Sequence, residues 1–265
     1  MSNVKETVEA VQGIVEAVPV YDDMLQPAAK ELSSGLLTVA KTINIALAPL
    51  SALVWSYEKV KDRFMPRLEE KLKNVPEENI VTPEPSIAVP VIEALRYTGH
   101  NNELCEMFSS LLASAMDRTT APKAHPSFVE IIRQINSDEA KIINLLDKSN
   151  SMPIIKIRLY DKNSAENGFA EPLVSFSNLP YAANCSYPDL GQSYLENLER
   201  LGIINLSYSV YCTVPSAYIP IENHPIIDAW RKQSTKVDKR FEIIRGALTL
   251  TAFGRKFIET CVTFW

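Results

Sequence analysis

The chain has 265 residues, of which 46% are hydrophobic and 22% charged, and 32 acidic against 27 basic residues give a net charge of −5. A chain of this size and composition folds as one or two domains with a core large enough to need no disulfide or metal. The acidic balance argues against a protein that coats nucleic acid, and 8 glycines leave little room for the loops that cradle phosphates in nucleotide-binding enzymes.

The N-terminal part of the chain is predicted to be helical. Residues 2–18 alternate apolar and charged positions at helical spacing, Pro19 ends that helix, and a second helical region begins near Asp22. The N-terminus lacks the basic and apolar regions of a signal peptide, so we expect the mature protein to start at Met1 and to be cytoplasmic.

Residues 32–57 form the most apolar stretch of the sequence, with Lys41 as its single charge. Such a stretch suits either a helix buried in the fold or a helix that enters a membrane. Lys41 and Pro49 disfavour a stable span, because a central lysine costs about 2.5–3.5 kcal/mol in lipid and a proline removes a backbone hydrogen bond. We therefore expect the stretch to pack within the fold, with membrane contact on activation as the open alternative.

Charge and proline then divide the chain. Residues 58–73 carry many charges of both signs, which is typical of an exposed helix. Residues 74–86 contain three prolines and three glutamates, so they are predicted to be an extended linker. Pro90 is predicted to begin the next helix.

A strongly amphipathic helix is predicted over residues 102–117, where apolar side chains recur at spacings of three and four. Leu111 and Leu112 lie at the centre of its apolar face, so we expect both to be buried.

Two further helix starts are marked by local signals. His125-Pro126 begins a helix with proline at its first position. Asn136 and Glu139 form a capping box that begins a helix over residues 137–148.

The periodicity changes near residue 150. Short β-rich runs occur at residues 154–159 and 173–176, and a helix over residues 189–201 is ended by Gly202. Residues 204–214 alternate apolar and polar positions throughout, which predicts a single long strand.

Residues 241–250 are predicted to pair back against that strand, and a last helix begins near Thr251. The order of two helices, two strands and a closing helix is that of a winged-helix domain, with residues 198–204 as its helix-to-wing corner. The predicted fold is therefore mostly α, with an N-terminal helical bundle over residues 1–136 followed by a winged-helix-like α+β module over residues 137–265.

The sequence resembles the Abi-alpha (abortive infection alpha) family of bacterial proteins over residues 30–260, through three blocks. The characteristic positions are Asn102, Glu103, Leu104, Met107, Phe108, Leu111, Leu112, Ala113, Ala115, Met116 and Asp117, then His125, Pro126, Phe128, Val129, Ile131, Gln134, Ile135 and Ser137–Ala140, and finally Tyr194–Ile204. The resemblance implies a role in phage defence and supplies no catalytic residues. Family members often carry several glycines in the apolar N-terminal helix, whereas this chain has only Gly35 there.

The sequence contains none of the common catalytic motifs, so we expect no catalytic, metal-binding or cofactor-binding residues and no small-molecule substrate. The three histidines lie in different segments and are predicted to be surface or capping residues. Glu103 and Glu106 are predicted to be solvated. The four cysteines lie far apart without zinc-type spacing and are predicted to be reduced. These observations predict a protein that is not an enzyme.

A basic cluster lies within residues 231–245, in the insertion between the two predicted strands. The candidate contacts to an anionic partner are Arg231, Lys232, Lys236, Lys239 and Arg240. The helix predicted at residues 189–201 is acidic and therefore a poor reader of a DNA groove. The alternative is that the cluster is a solvated loop without a partner.

Together these observations favour a non-enzymatic component of bacterial antiphage defence that acts by binding a partner or as an effector. A protein partner or self-association is the expected interaction, and a weak contact with nucleic acid that does not read base sequence stays open. The alternatives are a winged-helix DNA-binding regulator and a membrane-disrupting toxin, which salt-dependent DNA retention and liposome leakage would respectively reveal.

Overall fold

The structure is a computed structural model that describes residues 43–45, 57–146, 151–161 and 168–262. These residues are mostly helical and include one four-stranded antiparallel sheet. The predicted helices before residue 32 lie outside the described residues, and so does most of the apolar stretch 32–57, of which residues 43–45 are helical. Within the described part of the chain, no helix combines the length and the apolar character needed to cross a membrane.

The contacts divide the chain into two compact units. The first comprises Met1–Gly99 and Ser109–Pro126, and the second comprises His100–Phe108 and Ser127–Trp265. The sequence-based domain boundary between residues 136 and 137 stays a prediction.

The first unit contains the helices α1 (Tyr57–Leu72) and α2 (Pro85–Thr98). The expectation that α1 is an exposed helix is wrong for one of its faces, because its apolar side chains at a spacing of three to four residues are buried: Phe64, Met65, Leu68 and Leu72. The charged residues of α1 whose exposure the structure describes are exposed or partly exposed: Arg67, Glu69, Glu70 and Lys71. Helix α2 begins at Pro85 rather than at Pro90, which lies inside the helix. Proline suits the first position of a helix because it has no backbone N–H, and an N–H at that position would have no partner within the helix.

Helix α3 (Asn102–Met116) contributes residues to both units. Its predicted apolar face is confirmed, since Leu111 and Leu112 are fully buried. Packing of these side chains, rather than helix propensity alone, accounts for the stability of such a helix.

The other helices belong to the second unit, apart from the first residue of α4, Pro126, which falls in the first. They are α4 (Pro126–Arg133), α5 (Ser137–Leu146), α6 (Leu179–Ala182), α7 (Gly191–Arg200), α8 (Ile219–Glu222), α9 (Pro225–Lys236) and α10 (Ala252–Cys261). The predicted capping box of α5 is confirmed: the Asn136 N–H donates to Glu139 Oε2 at 2.7 Å, and the Glu139 N–H donates to Asn136 Oδ1 at 2.9 Å.

The sheet of the second unit has the order β2-β1-β4-β3, and every neighbouring pair is antiparallel. The strands are β1 (Ser151–Asp161), β2 (Phe169–Phe176), β3 (Ile204–Ser207) and β4 (Lys239–Leu250). Ile204 pairs with Leu250, so the predicted pairing of these two segments is confirmed.

The prediction of one strand over residues 204–214 is wrong beyond Ser207, and Tyr208 explains where it ends. The Tyr208 ring crosses β4 above Gly246, where an added Cβ would lie 2.7 Å from the ring. The Tyr208 hydroxyl accepts a hydrogen bond from the Ser175 N–H at 2.7 Å. Because Tyr208 follows β3 and Ser175 lies on β2, this bond holds the end of the side chain at the opposite edge of the sheet. The chain therefore turns away from β4, and Tyr211 is 66% exposed.

One face of the sheet is covered by the segment between β3 and β4. Its buried cluster contains Ile155, Ile157, Leu159, Phe176, Tyr218, Ile221 and Ile227. Because side chains alternate along a strand, the even-numbered residues of β1 lie on the other face.

The predicted end of the helix at Gly202 is confirmed, and β3 follows this corner directly. Gly202 adopts a positive φ of 75°, the conformation that ends a helix and favours glycine. Thr251 caps α10 by accepting from the Gly254 N–H at 2.8 Å, and its hydroxyl donates to the Gly202 carbonyl at 2.6 Å. The Thr251 side chain thus joins the start of α10 to the corner at Gly202 by a hydrogen bond.

Candidate interaction surface

The five candidate basic residues do not lie on one loop. Arg231, Lys232 and Lys236 belong to α9, while Lys239 and Arg240 begin β4. The prediction that the cluster lies in one loop is therefore wrong, while its contact with an anionic partner stays a prediction. A local signal for α9 exists in the sequence, because the dipeptide His224-Pro225 repeats the His-Pro start of α4, and His224 Nδ1 accepts from the Ile226 N–H at 3.3 Å as the N-cap.

The five side chains also differ in their partners. Arg231 pairs with Asp228, and Lys239 pairs with Asp161 at 3.5 Å. Lys232 and Lys236 are exposed and form no ion pair among the described residues. The guanidinium carbon of Arg240 lies 4.4 Å from the centroid of the Tyr160 ring, closer than the 5.6 Å between Arg231 and the Phe241 ring.

The partly exposed face of the sheet carries four stacked side chains, which we call the arginine–aromatic ladder: Arg240, Tyr160, Phe169 and Arg158. The Arg240 guanidinium carbon lies 4.4 Å from the centroid of the Tyr160 ring, which is directly opposite it on β1. The Tyr160 and Phe169 centroids are 5.6 Å apart, and the Arg158 guanidinium carbon lies 4.2 Å from the Phe169 centroid. The ladder thus crosses three strands, with a cation at each end.

Glu171 fixes one end of the ladder. Its Oε1 accepts from Arg158 Nε at 2.7 Å and from Lys156 Nζ at 2.8 Å. Hydrogen bonds from Lys156 and then Arg158 lower the pKa of the Glu171 carboxyl. Lys156 Nζ also lies 4.5 Å from the centroid of the Tyr208 ring. The cations at this end are therefore held in place before any ligand arrives.

Two members of the ladder are exposed and available for binding. Arg240 is exposed, and its guanidinium forms no hydrogen bond or ion pair among the described residues. Phe169 lies on the edge strand β2 and is 50% exposed. A stacked guanidinium keeps N–H donors at its rim, a geometry that suits carboxylates and phosphates, while an exposed ring offers a stacking surface.

Sequence reasoning missed Lys156, Arg158, Tyr160 and Phe169. The signal was present in β1, where two cations and a tyrosine alternate with Ile157 and Leu159. Strand alternation alone places Lys156, Arg158 and Tyr160 on one face. It does not identify the residues they contact, because those residues come from β2 and β4.

A second polar cluster of the second unit is buried around Asp138. One carboxylate oxygen accepts from the Ser186 N–H at 2.8 Å and from Lys141 Nζ at 3.0 Å. The other accepts from the Tyr187 N–H at 3.0 Å and from the Tyr194 hydroxyl at 3.2 Å. This carboxylate therefore joins α5 to α7 and to the loop that precedes it.

The protonation states in this cluster suit a structural role. Burial raises the pKa of Asp138, but hydrogen bonds from the Ser186 N–H, Lys141 and the Tyr187 N–H outweigh it and bring the pKa to about 2. Burial, together with the Asp138 charge, raises the pKa of Cys185 to about 11 and that of Tyr194 to about 12. At neutral pH the thiol and the phenol are protonated, so neither is an activated nucleophile or base.

The remaining candidates for chemistry are dispersed. His100 and His125 are exposed and His224 caps α9, which confirms the prediction of surface or capping histidines. All four cysteines are free, with Cys105 and Cys261 buried. Among the described residues, no group of three or more His, Cys, Asp or Glu side chains is placed to hold a metal ion.

The described residues thus define a mostly helical protein with an antiparallel sheet whose partly exposed face carries a pre-arranged cationic and aromatic surface. The family model named Abortive infection alpha matches residues 56–261. The match covers most of the chain, and the protein belongs to this family, as the resemblance in the sequence indicated.

Comparison with solved structures gives a weaker likeness. The chain is similar to an uncharacterized protein from the hydrocarbon-degrading marine bacterium Alcanivorax borkumensis SK2, with 16% identity and a TM-score of 0.37 over 52% of this chain and 93% of that one. No curated protein matches the chain.

Proposed function

We propose that the protein is a non-enzymatic component of abortive-infection defence that acts in the cytoplasm by binding an anionic partner. Membership of the Abortive infection alpha family supports the defence role. The arginine–aromatic ladder supports binding as the mode of action, because it presents positive charge, the half-exposed Phe169 ring and the partly exposed Tyr160 ring on one face of the sheet.

Removing both guanidinium groups of the ladder should weaken defence without unfolding the protein. The double variant Arg158→Gln/Arg240→Gln keeps the aliphatic stems and loses two charges at the surface. We expect binding of the partner to weaken at least about tenfold, the effect of losing about 1.4 kcal/mol, and the efficiency of phage plaquing on cells that express the full chain to rise. Thermal unfolding followed by circular dichroism checks that the variant stays folded.

Two further variants make this experiment decisive. Lys123→Ala/Lys256→Ala removes the same net charge from exposed positions outside the ladder and should leave protection intact. Lys232→Ala/Lys236→Ala tests the contact that the sequence predicted on the residues now placed in α9. Full protection by a folded ladder variant would contradict the proposal, and loss of protection only in the α9 variant would place the contact on that helix.

A winged-helix DNA-binding regulator is the second candidate. The order α7, β3, β4 and α10, with the helix corner at Gly202, favours a winged-helix interpretation of this part of the second unit. Helix α7 nevertheless exposes Glu196 and Glu199, which repel phosphates. Salt-dependent retention of duplex DNA that the ladder variant leaves unchanged would favour this candidate over the first.

A further inference from the structure

We propose that the arginine–aromatic ladder binds single-stranded RNA, which would be the anionic partner of the proposed function and rests on it. The first step of the argument is the combination of groups. Proteins that hold single strands pair cations that follow the phosphates with aromatic rings on which bases stack. Arg240 and Phe169 provide one of each on the same face of the sheet, joined through Tyr160.

The second step concerns pre-arrangement. Arg158 is held by its stacking on Phe169 and by Glu171, so it is already ordered before binding. The exposed Arg240 is positioned over Tyr160 and retains its N–H donors for a phosphate. An exposed ring on a sheet face also suits unpaired bases better than a duplex, whose bases are stacked on each other.

The third step distinguishes RNA from DNA. Glu242 lies directly across from Arg158 on β4, next to the ladder, and forms no hydrogen bond or ion pair among the described residues. A carboxylate accepts a hydrogen bond from a ribose 2′-hydroxyl, a donor that DNA lacks. Without that donor the carboxylate only repels the phosphate backbone.

The fourth step sets the strength of binding. Lys156, Arg158 and Arg240 face two carboxylates, Glu171 and Glu242, so the net charge of this surface is only +1. Binding should therefore be weak at physiological salt. Two phosphate contacts give a slope of about −1.4 for the logarithm of affinity against that of salt, at about −0.7 per phosphate on a single strand.

The test uses the full chain and a fluorescently labelled ten-nucleotide oligouridylate, with anisotropy as the readout at increasing salt. We expect saturable binding with the slope given above, a loss of at least about fivefold in Phe169→Leu from one lost stacking contact, and a slope smaller by about 0.7 in Arg240→Gln. Lys123→Ala, which removes one charge from an exposed position outside the ladder, is the charge-matched control for Arg240→Gln and should bind as the unmodified protein does.

The oligodeoxyuridylate of the same length differs from the RNA probe only in the sugar hydroxyl. We expect it to bind more weakly than the RNA, and Glu242→Gln to reduce this preference, because an amide neither repels phosphate nor accepts as strongly as a carboxylate. Equal binding of the two oligonucleotides would overturn the assignment to RNA, and tighter binding of a duplex would overturn the assignment to single strands.

Absence of binding at low salt, or unchanged binding by folded Phe169→Leu and Arg240→Gln variants, would overturn the inference as a whole. This failure is distinct from failure of the proposed function. A ladder variant that loses phage protection while the protein binds no RNA leaves the proposed function standing with another anionic partner. If RNA binding depends on the ladder while the ladder variant still protects fully against phage, the inference of RNA binding stands and the proposed function fails.

Discussion

Replacing Asp138 by alanine should lower the free energy of unfolding by about 3–5 kcal/mol, the cost of removing one partner from a buried charged network. The substitution leaves the Ser186 and Tyr187 N–H groups and the Tyr194 hydroxyl without the acceptor they share. Urea unfolding at pH 7 measures the change. Glu130→Ala, which removes a carboxylate from an exposed ion pair with Arg133, is the control and should cost less than about 1 kcal/mol.

The same carboxylate makes stability depend on pH. Its pKa is about 2 in the folded protein against an ordinary value of 3.8, so the unfolded chain binds more protons between these values. The contribution is therefore fully present above about pH 4 and is lost as the pH falls towards 2, a total of about 2 kcal/mol. The difference between the unmodified protein and Asp138→Ala should shrink by this amount across that window. An Asp138→Ala variant as stable as the Glu130→Ala control would contradict the role of the network.

Replacing Phe128 by alanine should lower the free energy of unfolding by about 3–5 kcal/mol, because truncating a buried aromatic side chain loses both burial and packing. Phe128 on α4 is buried against two rings of α10, with centroid distances of 5.3 Å to Phe253 and 5.4 Å to Phe257. Chemical denaturation of the variant measures the loss. Phe253 is more exposed than the other two rings, so Phe253→Ala should cost less.

A double-mutant cycle separates ring contact from general burial. Phe128→Leu and Phe257→Leu keep most of the apolar volume, and their coupling energy should be about 0.5–1.5 kcal/mol, as for an edge-to-face pair. A coupling energy of zero would show that the two rings stabilise the protein independently and that α4 and α10 are not joined by this contact.

The features predicted most closely from the sequence are those whose signals act within a few residues. The capping box of Asn136 and Glu139, the helix end at Gly202 and the helix start at Thr251 each join groups close together in the chain. Their hydrogen bonds require only local geometry, so the residue types alone indicate them.

The features that sequence reasoning missed depend on partners far apart in the chain. Residues 204–214 have the alternation of a strand, but the Tyr208 side chain bonds to Ser175, 33 residues away, and takes the backbone out of the sheet. The ladder likewise joins Arg240 to Tyr160 through strand register. Helix α9 is a different case, because its His224-Pro225 start was visible, and the density of charge after it favoured a loop.

The crossing of Tyr208 over Gly246 has a consequence for the evolution of the family. A Cβ at position 246 would lie 2.4 Å from the Ser207 carbonyl oxygen and 2.7 Å from the Tyr208 ring, so a side chain there would strain the backbone and displace the ring from its bond with Ser175. Position 246 is therefore constrained by the backbone of β3 as well as by a ring 38 residues away. Because the backbone oxygen stays in place whatever residue occupies position 208, related chains should keep glycine at position 246 even where residue 208 is smaller.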